Sequence, residues 1–328
     1  MRAPSRRTSL RRCAWKQLAW PGSVGRVGSG RRRSSSEASR QRVDASNRVH
    51  VADGKVGSLV DALGHFYKPM QDEVRGAREV QFYEDLCKWI DSNCQDEVER
   101  ESEVNEAVDD HVRSAMSALA SVVPRYYGTC VLHGDLGLKR RHIKLEDLTR
   151  KYENPSIVDI KVGYRTWYPD ADEKYKTKCR AKDAATTSST LGFKICGMQV
   201  YNAVKQRHWR ADRNWCKQVN GESIHVALAA FGNNGLAATP EGIYLGKDGV
   251  LNQLRKLKDI FKIQKDFLFH STSILILYEG AATTVEDLRV TLKLVDFAHT
   301  FHADCTLDTN FLTGLSGLEQ VIESMFFG

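Results

Sequence analysis

The nine residues from Pro155 to Gly163 (PSIVDIKVG) constrain this chain more than any other stretch. Ile157–Lys161 alternates apolar and polar positions with a period of two, the pattern of a strand with one face in a core. The same alternation sends Asp159 and Lys161 to one side. A carboxylate beside an ammonium is an odd choice for a purely structural strand. It suits a base or metal-linked group next to a phosphate anchor.

The surrounding pattern predicts what this strand packs against. Ser271–Tyr278 and Leu292–Phe297 read as two neighbouring buried strands, and Phe193–Tyr201 as another. Helical spacing is predicted over Arg75–Ile90, Glu97–Val122, Glu173–Ala184, Asp248–Phe267 and Thr309–Phe326, with a polar, Trp-containing loop over 202–222. Earlier in the chain, Val49–Ala52, Gly57–Val60 and Phe66–Lys68 predict a three-strand meander turning at Asp53-Gly54 and Gly64-His65 and stopped by Pro69. Pro124–Gly128 leads into a further strand with a turn at Gly134-Asp135, and Ile143–Leu148 reads as a strand running into a connector. Strands with one helix first, then a larger mixed lobe, predict an α+β fold of two lobes.

Composition narrows the class. With 41% hydrophobic and 27% charged residues the chain is an ordinary globular one. Its longest strongly apolar run, Ile274–Tyr278, falls far short of the roughly 20 residues of a spanning helix. The net charge of +7 belongs to one end: residues 1–36 hold ten Lys or Arg and no acid, whereas the other 292 residues hold 38 basic and 41 acidic side chains. Residues 1–48 are therefore expected to be a solvated Arg/Ser-rich tail. It also has the composition of an organelle transit peptide, and Arg31-Arg32-Arg33 that of a nuclear address or a nucleic-acid or protein contact within residues 1–40. The eight cysteines form no CxxC pair and none has finger-like spacing to a histidine, so no structural metal is expected.

Two more constellations suggest chemistry. Lys68 ends a predicted strand, and Glu79 follows eleven residues later on a predicted helix. Such a pair is how protein-kinase-like folds hold a cation against nucleotide phosphates. In Leu294-Val-Asp296-Phe-Ala-His299, two apolar residues deliver an aspartate to a strand end, as a magnesium ligand requires.

Together these residues reach a family. PSIVDIKVG resembles the PxxxDxKxG signature of the inositol polyphosphate kinases. The blocks HVADGKVGSLVDALGHFYKPMQDEVRGAREVQFYE, IKLEDLTRKYENP, STSILILYEG and LVDFAHT follow that family's hairpin, lysine strand and first helix, its hinge, its Ser-[Ser/Ile]-Leu block and its metal-binding block, in order. The resemblance runs from about His50 to the C-terminus. It implies a two-lobed, protein-kinase-like and ATP-grasp-like fold: an antiparallel first lobe over 49–148, and a mixed second lobe over 149–328 with a substrate helix at about 172–186.

The resemblance also implies roles. Lys68 would contact nucleotide phosphates with Glu79 as its helix partner. Glu146 and Leu148 would meet adenine through their backbone, and Phe66, Pro124, Leu145 and Val295 would line its pocket. Asp159 would serve the reaction centre and the ribose, and Asp296 would hold Mg2+ or Mn2+ with ATP. Lys161, Gln71, Arg75 and His299 would bind the phosphorylated inositol.

YRTWYPDADEKYKTKC is most similar to the multikinase branch, plant-type members in particular, which implies phosphorylation of inositol 1,4,5-trisphosphate and tetrakisphosphates toward the pentakisphosphate. Only 29 residues separate Gly163 from Phe193, short of the larger helical insertion of the trisphosphate 3-kinases. The predicted helix here sets Lys174, Lys178 and Lys182 on one face, with Lys178 and Lys182 expected to grip substrate phosphates. Tyr175 stands where the animal pattern has a lysine. The alternatives are an inositol hexakisphosphate kinase, a trisphosphate 3-kinase, or, from another class, a nuclear interaction protein acting through its tail. A monomer in nucleus and cytoplasm is expected, with soluble inositol polyphosphates and phosphoinositide lipid headgroups as candidate substrates.

Overall fold

The computed structural model describes residues 10–12, 48–49, 57–95, 106–134 and 139–328. The predicted turn at Asp53-Gly54 and most of the basic tail lie outside them. By internal contacts the chain forms two units, residues 1–70 with 126–147 and residues 71–125 with 148–328.

The first unit is a six-stranded sheet of β1 (Leu10–Arg12), β2 (Arg48–Val49), β3 (Leu59–Asp61), β4 (His65–Pro69), β5 (Tyr126–Gly134) and β6 (Lys139–Glu146), in the order β1-β3-β4-β6-β5-β2. The turn from β3 to β4 is built by Asp61, whose Oδ1 accepts the amides of Leu63 and His65 at 2.9 and 2.8 Å. Gly64 supplies the positive φ of 90° that this turn needs. The predicted meander is corrected: β2 lies at the far edge, parallel to β5, and does not neighbour β3. Alternation identifies a strand but not its partner. The expected structureless tail also contributes, since β1 pairs antiparallel with β3. An edge strand offers a row of open amides and carbonyls to any extended segment, whatever its side chains.

The second unit holds α1 (Glu73–Gln95), α2 (Glu106–Ser121), β7 (Pro155–Val162), α3 (Glu173–Ala184), α4 (Ser188–Leu191), β8 (Phe193–Asn202), β9 (Arg207–Arg210), α5 (Arg213–Gln218), α6 (Ile224–Phe231), α7 (Pro240–Leu245), α8 (Val250–Ile263), β10 (Phe267–Phe269), β11 (Ser273–Glu279), β12 (Thr291–Val295), β13 (Thr300–His302) and α9 (Thr309–Phe327). Its main sheet is antiparallel, in the order β12-β11-β7-β8-β9, and β10 pairs with β13. Every residue of β11 is buried, as its unbroken apolar run demands.

Helices α1 and α2, expected with the first lobe, belong to this second unit. Aromatic packing on α1 explains it. Phe82 stacks on Phe297 at 4.1 Å and meets Phe267 and Phe269 at 5.1 and 5.7 Å. Just past α2, the carbonyl of Val122 accepts the amide of Leu294 at 2.8 Å and so extends the edge of β12. The predicted helix Asp248–Phe267 stops at Ile263, because the Gln264 side chain donates to the carbonyl of Phe267 at 2.9 Å and accepts its amide at 3.1 Å, turning the chain into β10. The region read as loop over 202–222 contains β9 and α5.

Candidate active site

Strand β7 carries Asp159 and Lys161 through the centre of the second sheet. Asp159 sits opposite Leu275 and Gly197, and Lys161 opposite Ser273 and Lys194, with a register shift on β8 between them. Cys196 occupies that irregularity. Its thiol is pushed up to about 11 by burial and then by the Asp159 carboxylate, with Lys161 opposing, so both side chains reach one place. The Lys161 ammonium donates to the carbonyl of Ser271, a residue held at a left-handed φ of 56°.

Beyond Lys161 the chain is anchored by glycine. Gly163 has φ +112°, and a Cβ there would lie 2.7 Å from Asn310 Nδ2. A Cβ on Gly314 of α9 would lie 2.7 Å from the amide of Gly163, so backbone meets backbone. The signature glycine thus locks the end of β7 against the last helix.

Asp296 follows β12 in a left-handed turn at φ 68°, a conformation that Asp tolerates better than most residues. Two backbone contacts hold this turn. Thr272 Oγ1 donates to the Asp296 carbonyl at 3.2 Å, and the fully buried Glu79 accepts the amide of Phe297 at 3.3 Å. The α1 glutamate therefore fixes the backbone next to the predicted metal ligand.

His299, three residues on, is the centre of a cluster. Burial, then the positive charges of Lys161, Arg75 and Arg78, push its imidazole down to about 4, so it is neutral at neutral pH. Its ring lies 5.9 Å from Tyr168 and 6.0 Å from Tyr175, and its buried Nδ1 has no hydrogen-bond partner among the described residues. Arg75 is clamped by Asp72, which accepts its Nε at 2.6 Å and its amide at 3.0 Å, and which keeps the guanidinium charged. Arg78 lies over Phe301 at 4.2 Å and donates to the Ala298 carbonyl at 3.3 Å. Gln71 Oε1 is likewise buried without a partner among the described residues.

Helix α3 begins where predicted, because Asp172 caps it by accepting the Tyr175 amide at 2.8 Å. Tyr175 and buried Cys179 form its inner stripe. Lys174, Lys178 and Lys182 stand exposed one position earlier on successive turns. Glu173 is engaged by Lys176 at 3.0 Å and Arg180 at 3.6 Å, which leaves the lysine stripe without an acid from its own first turn.

Comparison with known proteins identifies the family of the chain. Residues 142–323 match the inositol polyphosphate kinase family. Inositol polyphosphate multikinase beta of Arabidopsis thaliana is 34% identical over 293 residues, spanning 84% of this chain and 90% of that protein. The chain belongs to the inositol polyphosphate kinases. It is a member of a family of ATP-dependent phosphotransferases. A solved structure described as structural studies and protein engineering of inositol phosphate multikinase superposes with a TM-score of 0.55 at 34% identity, covering 64% of this chain and 92% of that one. The crystal structure of inositol phosphate multikinase Ipk2 from S. cerevisiae, in complex with ADP and Mn2+, shares the fold at a TM-score of 0.58 and 18% identity, over 79% of this chain and 98% of that one.

The remaining candidate residues expected from the sequence divide between the units. In the first, Phe66 and Lys68 share the buried face of β4 and pair with Leu145 and Ile143 of β6. Lys68 is only 8% exposed. Glu146 closes β6 opposite His65, and the next amide, of Asp147, donates to Gly64 at 2.8 Å. In the second, Pro124 and Val295 are buried and Leu148 is half-buried. Sequence reading missed Asp72, Arg78, Tyr168 and His270 in the cluster around His299. A signal existed for Arg78 alone: it lies one position before Glu79 and one turn after Arg75.

Proposed function

We propose that this kinase is a multikinase, transferring the γ-phosphoryl group of ATP to hydroxyls of inositol 1,4,5-trisphosphate and inositol tetrakisphosphates toward inositol pentakisphosphate. The observation that carries the reading is the convergence of Lys161, Arg75 and Arg78 on His299, on the strand face that also bears Asp159. Cations from α1 and β7 gathered around a neutral imidazole suit a substrate carrying several phosphates. The short α3 segment adds Lys178 and Lys182 at its edge and lacks the bulk that would narrow the site to one isomer.

Phosphoryl transfer through a loose transition state depends on positioning and charge neutralisation. Asp159 orients the attacking hydroxyl or holds the ribose. Lys161, steadied by the Ser271 carbonyl, fixes the phosphates nearest the acceptor, with Gln71, Arg75 and His299 beside it. In the family's pattern, Lys68 is the position that steadies the nucleotide phosphates, and Phe66, Leu145 and Glu146 of the first unit and Pro124, Leu148 and Val295 of the second are the positions given to adenine.

Asp296 suits a hard cation, being a carboxylate delivered on a braced turn. Among the described residues no three His, Cys, Asp or Glu side chains converge on one point. A magnesium or manganese ion on Asp296 would therefore draw its other ligands from phosphates and water, as Mg2+ commonly does. Bound there with ATP, it would neutralise charge on the transferring group. The solved S. cerevisiae relative contains ADP and Mn2+.

The test is to incubate purified protein with Mg-ATP and a panel of inositol tris-, tetrakis- and hexakisphosphates, then separate products by charge and isomer. Pentakisphosphate formed from the trisphosphate supports the reading. Exclusive use of one trisphosphate isomer, or of the hexakisphosphate, would replace it with the narrower kinase activities.

A further inference from the structure

The tip of the β8–β9 hairpin, with β9 itself, carries none of the residues placed in the kinase site. Its strands are followed by α5, and residues 204–218 (VKQRHWRADRNWCKQ) hold five Lys or Arg against the single acid Asp212. All five cations, Lys205, Arg207, Arg210, Arg213 and Lys217, are exposed. Outside the N-terminal tail, by contrast, acids outnumber bases. A local positive field on an otherwise slightly acidic body points to an anionic partner.

The tip of the hairpin is apolar. Val204 is 64% exposed and Leu236, on the loop after α6, is 54% exposed. The two loops touch: the Ala203 amide donates to the Asn234 carbonyl at 2.8 Å, and a Cβ on Gly235 would lie 3.2 Å from Val204 Cγ2. Both are held rigidly. Asn234 is fully buried, donates to the carbonyls of Gly280 and Ala282 at 3.0 Å each, and accepts the amides of Leu236 and Ala238 at 2.8 and 2.9 Å. Farther along β9, Trp209 is 44% exposed and packs edge-on to Trp215 at 5.2 Å.

We propose that this tip docks the kinase on anionic lipid bilayers, with Val204, Leu236 and Trp209 entering the interface and the flanking cations facing acidic headgroups. The aliphatic pair selects this occupant. Single-stranded nucleic acid is gripped by cations and stacked aromatic rings, and exposed Val and Leu offer it nothing. A bilayer interface rewards both aliphatic insertion and indole placement, together with basic residues at the surface. Because the loops are pinned by Asn234, binding costs little ordering of the protein. No described helix is long and apolar enough to span a membrane.

Full-length protein would be sedimented with phosphatidylcholine vesicles containing or lacking about 30% phosphatidylserine. The basic tail is present in every sample, so differences between variants report this surface alone. Wild type should partition onto the acidic vesicles only. Lys205→Gln/Arg207→Gln/Arg213→Gln should lower that partitioning about a hundredfold, at roughly fivefold per charge. Val204→Asp/Leu236→Asp should lower it about tenfold or more. Turnover of soluble substrate and melting temperature should stay unchanged in both. Equal partitioning of wild type and both variants, or no binding by wild type, would overturn the proposal. So would loss in the charge variant alone together with tight binding of a single-stranded oligonucleotide, which would mark a nucleic-acid surface instead.

Discussion

Replacing Gly163 by alanine tests how the signature strand is held in place. The backbone there has φ +112°, where only glycine is at ease, and an alanine would carry roughly 1–3 kcal/mol of strain. Its Cβ would sit 2.7 Å from Asn310 Nδ2, closer than real Cβ contacts allow, so Asn310 must move. Asn310 exchanges two hydrogen bonds with the backbone of Arg165, each 3.0 Å, and their loss costs about 1 kcal/mol apiece. The sum is about 3–5 kcal/mol, a large part of the roughly 5–15 kcal/mol that holds a typical domain together. Thermal denaturation followed by near-ultraviolet circular dichroism should show the second unit melting about 6–12 °C lower. Gly221→Ala is the control: nothing lies within 4 Å of its Cβ position, and it should stay within about 0.5 kcal/mol of wild type. Because Gly163 sets the end of the strand bearing Lys161, the KM for inositol phosphate should rise more than that for ATP. A melting temperature within about 1 °C of wild type, or equal effects at Gly163 and Gly221, would refute the close-approach argument.

Asp296→Asn should leave the fold intact, since its turn is held by backbone contacts, and lower kcat at least about a hundredfold. A loss under threefold would remove Asp296 from the metal role. Lys178→Ala and Lys182→Ala should each raise the KM for tetrakisphosphate by about tenfold at low salt and less at high salt, with the ATP KM unchanged. A rise that tracks ATP instead would return these lysines to bulk solvent. Burial of His270 and His299 pushes both imidazoles down to about 4 from 6.5, so the unfolded chain takes up protons first as pH falls. Their stabilisation is full above pH 6.5 and lost as pH drops toward 4, by up to about 3 kcal/mol each. Asp308, pushed up to about 6 by burial, opposes this, because its folded form holds a proton more tightly over about pH 4–6. Melting temperatures of wild type and His270→Gln/His299→Gln across pH 4–8 should diverge only in acid, the double variant showing the shallower decline. Parallel curves would refute the assignment.

Much of the architecture is local enough to read from the chain. The starts of α3 and α9 fall at Glu173 and Thr309, as the spacing predicts, because Asp172 and Asp308 cap them. Strands β7 and β11 are legible for a different reason: alternation and an unbroken apolar run leave few other conformations. Helix α6 escaped notice because its apolar residues, interrupted by few polar ones, carry no face to detect. Among the candidate residues of the second unit, Asp159, Lys161 and Asp296 stand out as charges on or just after predicted strands. What no local pattern carries is their neighbourhood. Asp72 clamps Arg75, Glu79 holds the amide of Phe297 from 218 residues away, and Arg78 joins Tyr168 and Phe301 beside His299. These side chains acquire their roles only when the aromatic packing of Phe82 on Phe297 carries α1 onto the turn after β12. A sequence pattern records what each segment buries. Which segment meets which is settled by the packing of the whole unit, and the charges, pKa values and strain of the site follow from that packing.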